Sequence, residues 1–210
     1  MEFIFGIAGP SLSGKDLAAD YLSRRFKLAH IKLGDLVREE AEKRGLVSNK
    51  LNLRDVGNDM RATFSPDILA DTAIARYKRS MNEHNGLVIS DIRHPAEARS
   101  LKKANGILFY VDASQSNRYA RSQERMEPED SQSFDSFQKE ESVHAHPVHE
   151  YDQDLDAVRK LATYTVINDS SKEAFFSRLE SQVNVYVRML IQQNNSSTAD
   201  IIRSMDNQAL

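Results

Sequence analysis

Residues 3–16 read FIFGIAGPSLSGKD, an apolar run that ends at a glycine and continues through a small polar loop into Gly14 and Lys15. Gly9 and Gly14 permit backbone angles and a close approach that a side chain would forbid. Backbone N–H groups can then converge on phosphate oxygens at the positive end of the following helix. The stretch predicts a phosphate-binding loop of the form G-x-x-x-x-G-K. Its expected donors are Ser11, Leu12, Ser13, Gly14, Lys15 and Asp16.

The loop departs from the general motif at one position. The motif places Ser or Thr after the lysine to hold Mg²⁺, whereas this chain has Asp16 followed by Leu17. An accidental glycine-rich turn is the alternative interpretation. The apolar run before the loop and the amphipathic segment LAADYLSRRF, residues 17–26, favour the phosphate-binding loop.

Composition limits the other classes of function. The 210 residues carry a net charge of −3, so we expect no basic surface for duplex nucleic acid. No apolar run approaches the length of a membrane span, and the amino terminus lacks the profile of a signal peptide. The chain has no cysteine, which excludes disulfides and thiolate metal sites. We therefore expect a soluble, cytoplasmic protein.

Short apolar runs alternate with longer segments of helical periodicity. This pattern predicts an α/β fold, a three-layer α/β/α sandwich with a five-stranded parallel sheet. The predicted strands are 3–8, 28–33, 86–91, 106–112 and 162–167. The predicted helices are 14–25, 35–44, 53–62, 66–83, 94–104, 114–127, 133–141, 152–160 and 171–193, with Asp35, Ser65 and Ser114 as caps and Pro66 in a first turn.

One domain is predicted over residues 1–190, with a polar carboxyl-terminal tail at 191–210. The intervals between the second and third strands and between the fourth and fifth are longer than a crossover requires. Ligands bind beyond the carboxyl ends of the strands in an open α/β sheet. We therefore predict an acceptor-binding helical insertion at 34–82 and a lid at 118–151.

Arginines near the second strand are candidates for binding an anionic acceptor. Arg38 follows Asp35 by three residues, so the two share a helix face, and its planar guanidinium suits a phosphate. A surface ion pair with Glu39 or Glu42 is the alternative. Arg54 and Arg61 follow in the next predicted helix. Arg61 is the better ligand candidate of the two, and Arg54 is expected to be a solvated charge.

The third strand ends in an acidic residue followed closely by an arginine. Asp91 ends an otherwise apolar strand beside the predicted loop, which is typical of the residue that organises Mg²⁺ or its water shell. Asp91 could instead cap the helix that starts near Pro95. Arg93 would extend from the same edge toward the transferred group or the acceptor phosphate.

A basic helix follows the fourth strand. Arg118, Arg121 and Arg125 share one helical face, an arrangement that could clamp polyphosphate when a lid closes. An exposed basic stripe is the alternative. The histidines at positions 144, 146 and 149 have irregular spacing and Pro147 among them, which favours a polar lid loop over a metal site.

With these motifs in order, the sequence resembles the P-loop nucleoside monophosphate kinases, the adenylate-kinase-like group. GPSLSGKD at 9–16 is similar to their glycine loop, in which Mg²⁺ is held largely through phosphates and water. LGDLVRE at 33–39 is similar to the start of their acceptor-binding helices, and SDIRHP at 90–95 to a strand-end motif that here lacks its glycine. The form SGKD and the segment SFDSFQKEE at 133–141 resemble a branch of kinase-like ATPases and phage-type deoxynucleotide kinases.

The resemblance implies roles for particular residues. Arg38 would grip the acceptor phosphate, Arg93 would contact both phosphoryl groups, and Arg118 would begin the lid. The segment TVINDSSKEAFFSRLESQV at 165–183 resembles the last strand and helix of the family, where Asn168 would approach adenine. Leu17 departs from the threonine that the family commonly has.

These observations predict an ATP-dependent transfer of a phosphoryl group to a small phosphorylated acceptor, a nucleoside or deoxynucleoside monophosphate. Lys15 and the loop would hold ATP, and Asp91 would organise Mg²⁺ through water. The acceptor would be held by Asp35, Arg38, Arg61 and Arg93, and Arg121 and Arg125 would close over the transferred group.

Two other functions stay open. One is a kinase for dephospho-coenzyme A or another metabolite, and the other is a nucleotide-binding switch without transfer. An alcohol acceptor would require a general base, for which Asp35 and Asp91 are the candidates. We expect a monomer or homodimer whose partner is the small-molecule acceptor, with no duplex nucleic acid and no membrane bound.

Overall fold

The computed structural model describes residues 3–79, 83–126, 133–145 and 149–193. Its strands are β1 (Phe3–Ala8), β2 (Ala29–Lys32), β3 (Gly86–Ile92), β4 (Ile107–Asp112) and β5 (Tyr164–Ile167). Its helices are α1 (Lys15–Phe26), α2 (Leu33–Lys43), α3 (Lys50–Thr63), α4 (Ile68–Arg79), α5 (Pro95–Lys103), α6 (Gln115–Arg125), α7 (Phe134–Ala145), α8 (Leu155–Lys160) and α9 (Lys172–Gln193). Among these described helices, none is long and apolar enough to span a membrane.

The five strands form one parallel sheet in the order β2-β3-β1-β4-β5. The predicted α/β sandwich is confirmed, because helices cover both faces of this sheet. After β1 the chain crosses to β2 and β3 on one side, and after β3 it crosses back to β4 on the other. The strand order therefore reverses beside β1, and the crevice beyond the carboxyl ends of β1 and β3 is the expected ligand site.

Strand β1 separates two hydrophobic cores because successive side chains of a strand point to opposite faces. Phe5 and Ile7 pack with Leu22 of α1 and Phe175 of α9. On the other face, Ile4 packs in a cluster that includes residues of α2, α3, α4, α5 and α8. Burial on both faces explains why this strand reads as a continuous apolar run.

The predicted helix starts were wrong at two of the three proposed caps. Asp35 lies inside the first turn of α2, whose cap is Lys32. Helix α4 begins at Ile68, so Ser65 and Pro66 precede it, and the Ser65 carbonyl accepts a hydrogen bond from the Ile68 N–H. In both cases a residue type that commonly caps helices lies within three residues of the helix start but is not the cap itself. The cap at Ser114 is confirmed, since its side chain accepts from the Asn117 N–H.

The predicted lid and tail are only partly described. The lid prediction at 118–151 includes residues 127–132 and 146–148, which lie outside the described residues. Helix α7 extends to Ala145, so position 144 is helical and not part of a loop as predicted. Helix α9 extends to Gln193, so the predicted tail begins inside a helix, and residues 194–210 lie outside the described part.

Glu97 ties the start of α5 to α3. One carboxylate oxygen accepts the backbone N–H groups of Arg93 and His94, and His94 caps the helix in return through the Ala96 N–H. The other oxygen accepts two hydrogen bonds from Arg61, at 3.0 and 2.7 Å. Both side chains are buried, with exposed fractions of 0% for Glu97 and 4% for Arg61. The pair therefore fixes α3 against the segment that follows β3.

Replacing Glu97 with alanine should unfold the protein more easily, because Arg61 then stays buried without its carboxylate. We expect the free energy of unfolding to fall by about 3–5 kcal/mol. Urea denaturation followed by circular dichroism measures this change.

Glu39→Ala is the matched control, since Glu39 also accepts two hydrogen bonds from an arginine, Arg76, but both side chains are largely exposed. Its expected loss is about 1 kcal/mol or less. Equal losses for the two variants would contradict a stabilising role for the buried pair.

Candidate active site

The predicted phosphate-binding loop joins β1 to α1 at the point where the strand order reverses. Gly9 has φ +145°, Leu12 has φ 63° and Gly14 has φ +96°, so the loop curls tightly before α1 begins at Lys15. The first N–H groups of a helix have no partner within that helix. Gly14, Lys15 and Asp16, at the start of α1, line the cavity. This concave backbone at a helix start fits a phosphate group.

One predicted donor is used within the loop itself. The Ser13 N–H donates to the Pro10 carbonyl at 3.3 Å, which closes a turn inside the loop. The Ser13 N–H is thus engaged within the loop, and the convergence of the N–H groups from Ser11 to Asp16 on phosphate stays a prediction. The curl of the loop brings the Pro10 carbonyl to the Ser13 N–H.

The loop is held in place by Asn168 and Arg121, which lie far from it in sequence. The Asn168 side-chain amide donates to the Ser13 carbonyl at 2.8 Å. Arg121 donates to the Leu12 carbonyl at 2.9 Å and to the Asn168 carbonyl at 2.6 Å. Both residues were predicted as direct ligands of ATP or of the transferred group. The contacts show that they also buttress the loop, and their contact with a nucleotide stays a prediction.

Asp91 lies in a bulge at the end of β3. Ile7 pairs with Ser90 and the next residue, Ala8, pairs with Ile92, so Asp91 is the extra residue, with φ 66°. The bulge breaks the alternation of the strand and lets this side chain contact residues of the neighbouring loops. One oxygen of Asp91 accepts two hydrogen bonds from Arg93, at 3.1 and 3.0 Å, and lies 3.8 Å from Lys15 Nζ.

The charges around Asp91 decide its protonation. Burial would raise its pKa, but the positive charges of Arg93, Lys15 and Lys32 outweigh burial and hold the pKa well below its usual range. Burial also lowers the pKa of Lys15, against the opposing charge of Asp91. The carboxylate is therefore anionic across the physiological range and is a weak proton acceptor.

The predicted acceptor residues differ in how they are held. Arg38 lines the cavity and forms an exposed ion pair with Asp35 on the same helix. Arg93 also lines the cavity. Its Nη1, the nitrogen that does not bind Asp91, donates to Gln153 Oε1 at 3.2 Å. Arg61 borders the cavity but is bound by Glu97, so it is first a structural residue. The acceptor role of all four residues stays a prediction.

The three arginines of α6 also differ in their contacts. Arg118 is buried, donates to the Ala113 carbonyl at 3.0 Å, forms an ion pair with Glu141 of α7 and stacks over the Phe137 ring. It therefore joins α6 to α7. Arg125 is exposed at the end of α6 and borders the same cavity as Arg118 and Arg121.

These residues surround one cavity of about 960 Å³ at the carboxyl end of the sheet. The loop lies on one side, α2 and α3 on another, and α6, α7 and α8 on a third. Its wall contains more cations than acids, and apolar side chains complete the surface. The acids on the wall are Asp16, Asp91, Asp112, Glu141 and Asp156. The cations on the wall are Lys15, Lys32, Arg38, Lys50, Arg54, Arg61, Arg93, Arg118, Arg121, Arg125 and Arg159.

Two carboxylates beside the loop could hold a metal ion together with phosphate oxygens. Asp16 and Asp91 both line the cavity. Mg²⁺ bound with a nucleotide commonly takes only one or two carboxylates and completes its shell with water and phosphate. Within the described residues, no group of three or more His, Asp or Glu could hold a metal alone. His146 lies outside the described part, and the His149 N–H donates to Asp152.

Lys32 is a site residue that the sequence reasoning missed. It ends β2, lines the cavity and lies 2.8 Å from Asp16 Oδ1. A usable signal was present, because a lysine at the carboxyl end of a strand lies at the same sheet edge as the loop and Asp91. Glu97 was missed as well, although its position three residues after His94 is that of a capping box.

Gly14→Ala should abolish nucleotide binding. An added Cβ would lie 2.2 Å from the Asn168 side-chain nitrogen, and alanine is strained at φ +96°. We expect the contact between loop and Asn168 to break, with loss of binding of an ATP analogue in isothermal titration.

Gly45→Ala is the control, because its φ is also positive, at +69°, but an added Cβ meets nothing within 4 Å. It should cost about 1 kcal/mol of stability and leave binding unchanged. Unaltered binding in Gly14→Ala would refute the assigned role of the loop.

The chain is similar to archaeal proteins of the UPF0200 group. A UPF0200/UPF0201 protein of Archaeoglobus fulgidus is 29% identical over 179 residues, covering 84% of this chain and 53% of that protein. The chain thus spans about half the length of that relative. A UPF0200 protein of Methanococcus maripaludis is 25% identical over 186 residues, covering 88% of this chain and 98% of that protein.

A solved structure resembles the fold. Shikimate kinase from Bacteroides thetaiotaomicron superposes with a TM-score of 0.55 at 11% identity, covering 88% of this chain and 98% of that one. At this identity the likeness concerns the P-loop kinase type of fold alone. The family model described as an AAA domain matches residues 6–148, which include the loop, the end of β3 and α6. The chain therefore belongs to this AAA domain family and has a kinase-like P-loop fold.

Proposed function

We propose that the protein transfers the γ-phosphoryl group of ATP to the phosphate of a small acceptor, a nucleoside or deoxynucleoside monophosphate. The supporting observation is the single cavity in which the phosphate-binding loop faces arginines from the predicted acceptor and lid segments. Two polyanions that meet in one cavity need cations from more than one side.

The donor side of the cavity is formed by the loop and Lys15. Its backbone shape depends on Asn168 and Arg121, so the loop is arranged before a ligand arrives. Preorganised donors and charges stabilise a phosphoryl transition state without the cost of rearranging. Arg125 at the end of α6 borders the same space and can approach the transferred group.

The acceptor side is formed by α2, α3 and the start of α4. Arg38 on its rim supplies a planar donor for a phosphate, and Val37, Leu53 and Leu69 supply an apolar surface beside it. A mixed wall of this kind suits an acceptor that has both a phosphate and an organic part, such as a base. It favours a phosphorylated organic molecule over inorganic phosphate.

The contacts of the two candidate bases fit a phosphate acceptor better than an alcohol, because Asp91 is bound by Arg93 and Asp35 by Arg38. An acceptor phosphate is already anionic at neutral pH and needs no general base, whereas an alcohol needs one. The pKa of Asp91 is held far below its usual range, so it accepts a proton poorly. Asp35 is paired with Arg38 on an exposed face of α2.

In this reaction the chain's residues act by position and charge. Asp91 and Arg93 fix one another at the strand end, Lys15 binds the terminal phosphates of the donor, and Arg38 orients the acceptor. A bound Mg²⁺ would neutralise charge on the phosphates, and Asp91 would organise it through water. Exclusion of water by α6 and α7 would limit hydrolysis of ATP.

Lys15→Ala should keep the fold and lose phosphoryl transfer, because the donor phosphates lose their buried cation. A coupled assay across nucleoside and deoxynucleoside monophosphates should show turnover of one acceptor class by the wild type, reduced about 10²- to 10³-fold in the variant. The exposed Lys103→Ala is the control and should match the wild type. Binding of ATP without transfer to any tested acceptor, including coenzyme A precursors, would overturn the proposal and favour a switch.

Arg38→Ala should weaken binding of the acceptor more than that of ATP. We expect KM for the acceptor to rise about 10- to 100-fold, the effect of losing a charge-assisted hydrogen bond, with KM for ATP nearly unchanged. Arg24→Ala, an exposed arginine at the end of α1, is the control. An equal rise of both KM values would argue against an acceptor role for Arg38.

A further inference from the structure

Asp16 occupies the position at which the general loop motif places a hydroxyl ligand for Mg²⁺. It lies in the first turn of α1, borders the cavity and has a half-exposed side chain. A carboxylate here is a hard oxygen ligand suited to Mg²⁺, but it also repels the phosphates of a nucleotide unless a cation lies between them. The position therefore requires a counter-ion.

Lys32 supplies that counter-ion in the structure. Its Nζ lies 2.8 Å from Asp16 Oδ1, and the side chain is partly exposed on the cavity wall. The lysine reaches this position from the end of β2. Its long stem has several rotatable bonds, so the ammonium group can leave without a change of backbone.

Lys32 also lies beside the second carboxylate of the site. A methyl group placed on Gly34 would be 2.6 Å from Asp91 Oδ2 and 3.8 Å from Lys32 Cε, so the two side chains flank the same backbone atom. Asp91 and Asp16 both interact electrostatically with Lys32. Two carboxylates thus share three nearby cations, Lys15, Lys32 and Arg93, beside the loop.

We propose that Asp16 is a direct ligand of the divalent cation that accompanies the nucleotide, and that the Lys32 ammonium occupies the position of this cation until the nucleotide binds. Asp16 then exchanges one cation for the other. This inference rests on the proposed function only in requiring that a metal–nucleotide complex enters the cavity.

The exchange is favourable for reasons of charge. An ammonium carries one charge and donates hydrogen bonds, whereas a divalent cation carries two and binds carboxylate and phosphate oxygens together. In the unliganded protein, Lys32 removes the cost of an unpaired carboxylate beside the helix start. In the complex, the same ammonium is released into a cavity that then contains several phosphate oxygens.

Titration with Mn²⁺ and a non-hydrolysable ATP analogue tests the exchange without any acceptor. Electron paramagnetic resonance measures bound Mn²⁺, and isothermal titration measures how far Mn²⁺ tightens the analogue. We expect Asp16→Ala to lose about tenfold or more of this tightening, and Asp16→Ser, which restores the hydroxyl of the motif, to recover part of it. Asp59→Ala, at a comparably exposed carboxylate that pairs with Arg44, should match the wild type.

Lys32→Met tests the other half of the exchange. Removal of the competing ammonium should lower the Mn²⁺ concentration needed for half-maximal tightening, while Lys43→Met, at an exposed lysine of α2, should not. Unchanged Mn²⁺ coupling in Asp16→Ala overturns the metal-ligand assignment, and an unchanged midpoint in Lys32→Met overturns the exchange. If either variant contradicts the exchange but the wild type still transfers a phosphoryl group, the proposed function stands. If Mn²⁺ tightens the analogue as expected but no acceptor is phosphorylated, only the proposed function is overturned.

Discussion

The buried carboxylate of Asp91 is the interaction on which the arrangement of the site depends. It lies between Lys15, at the start of α1, and Arg93, after β3, and so connects the two segments that leave the sheet at its switch point. A largely buried charge is stable here because Lys15 and Arg93 carry the opposite charge and lie close to it. The same cations keep the carboxylate ionised, which makes it a fixed negative charge and a poor base.

A second layer of contacts holds the loop from behind. Asn168 and Arg121 bind loop carbonyls, and Glu97 fixes the segment after β3 through Arg93 and His94. These residues come from the ends of separate elements, so the loop and strand end are positioned by the whole sheet. Such support keeps a phosphate site in one geometry, which is what a reaction governed by position and charge requires.

Local patterns predicted the fold well because strand, loop and helix are adjacent in sequence. The apolar run of β1 and the glycines after it need only their own backbone to form the phosphate-binding loop, and the alternation of strands and helices implied a parallel sheet. Helix starts were less certain, because Asp35 and Ser65 satisfy a cap's chemistry without lying at the boundary. The bulge at Asp91 was also invisible, since its extra residue exists only relative to β1.

The sequence by itself determined that a phosphate-binding loop follows the first strand of an α/β sheet and that many arginines lie near its carboxyl edge. Only the tertiary structure decided what each charged residue binds. Arg61 pairs with Glu97, Asn168 supports Ser13, and Lys32 neutralises Asp16. The physical reason is that a charged side chain is stabilised by whatever lies within a few ångströms, and those partners come from elements far away in the chain.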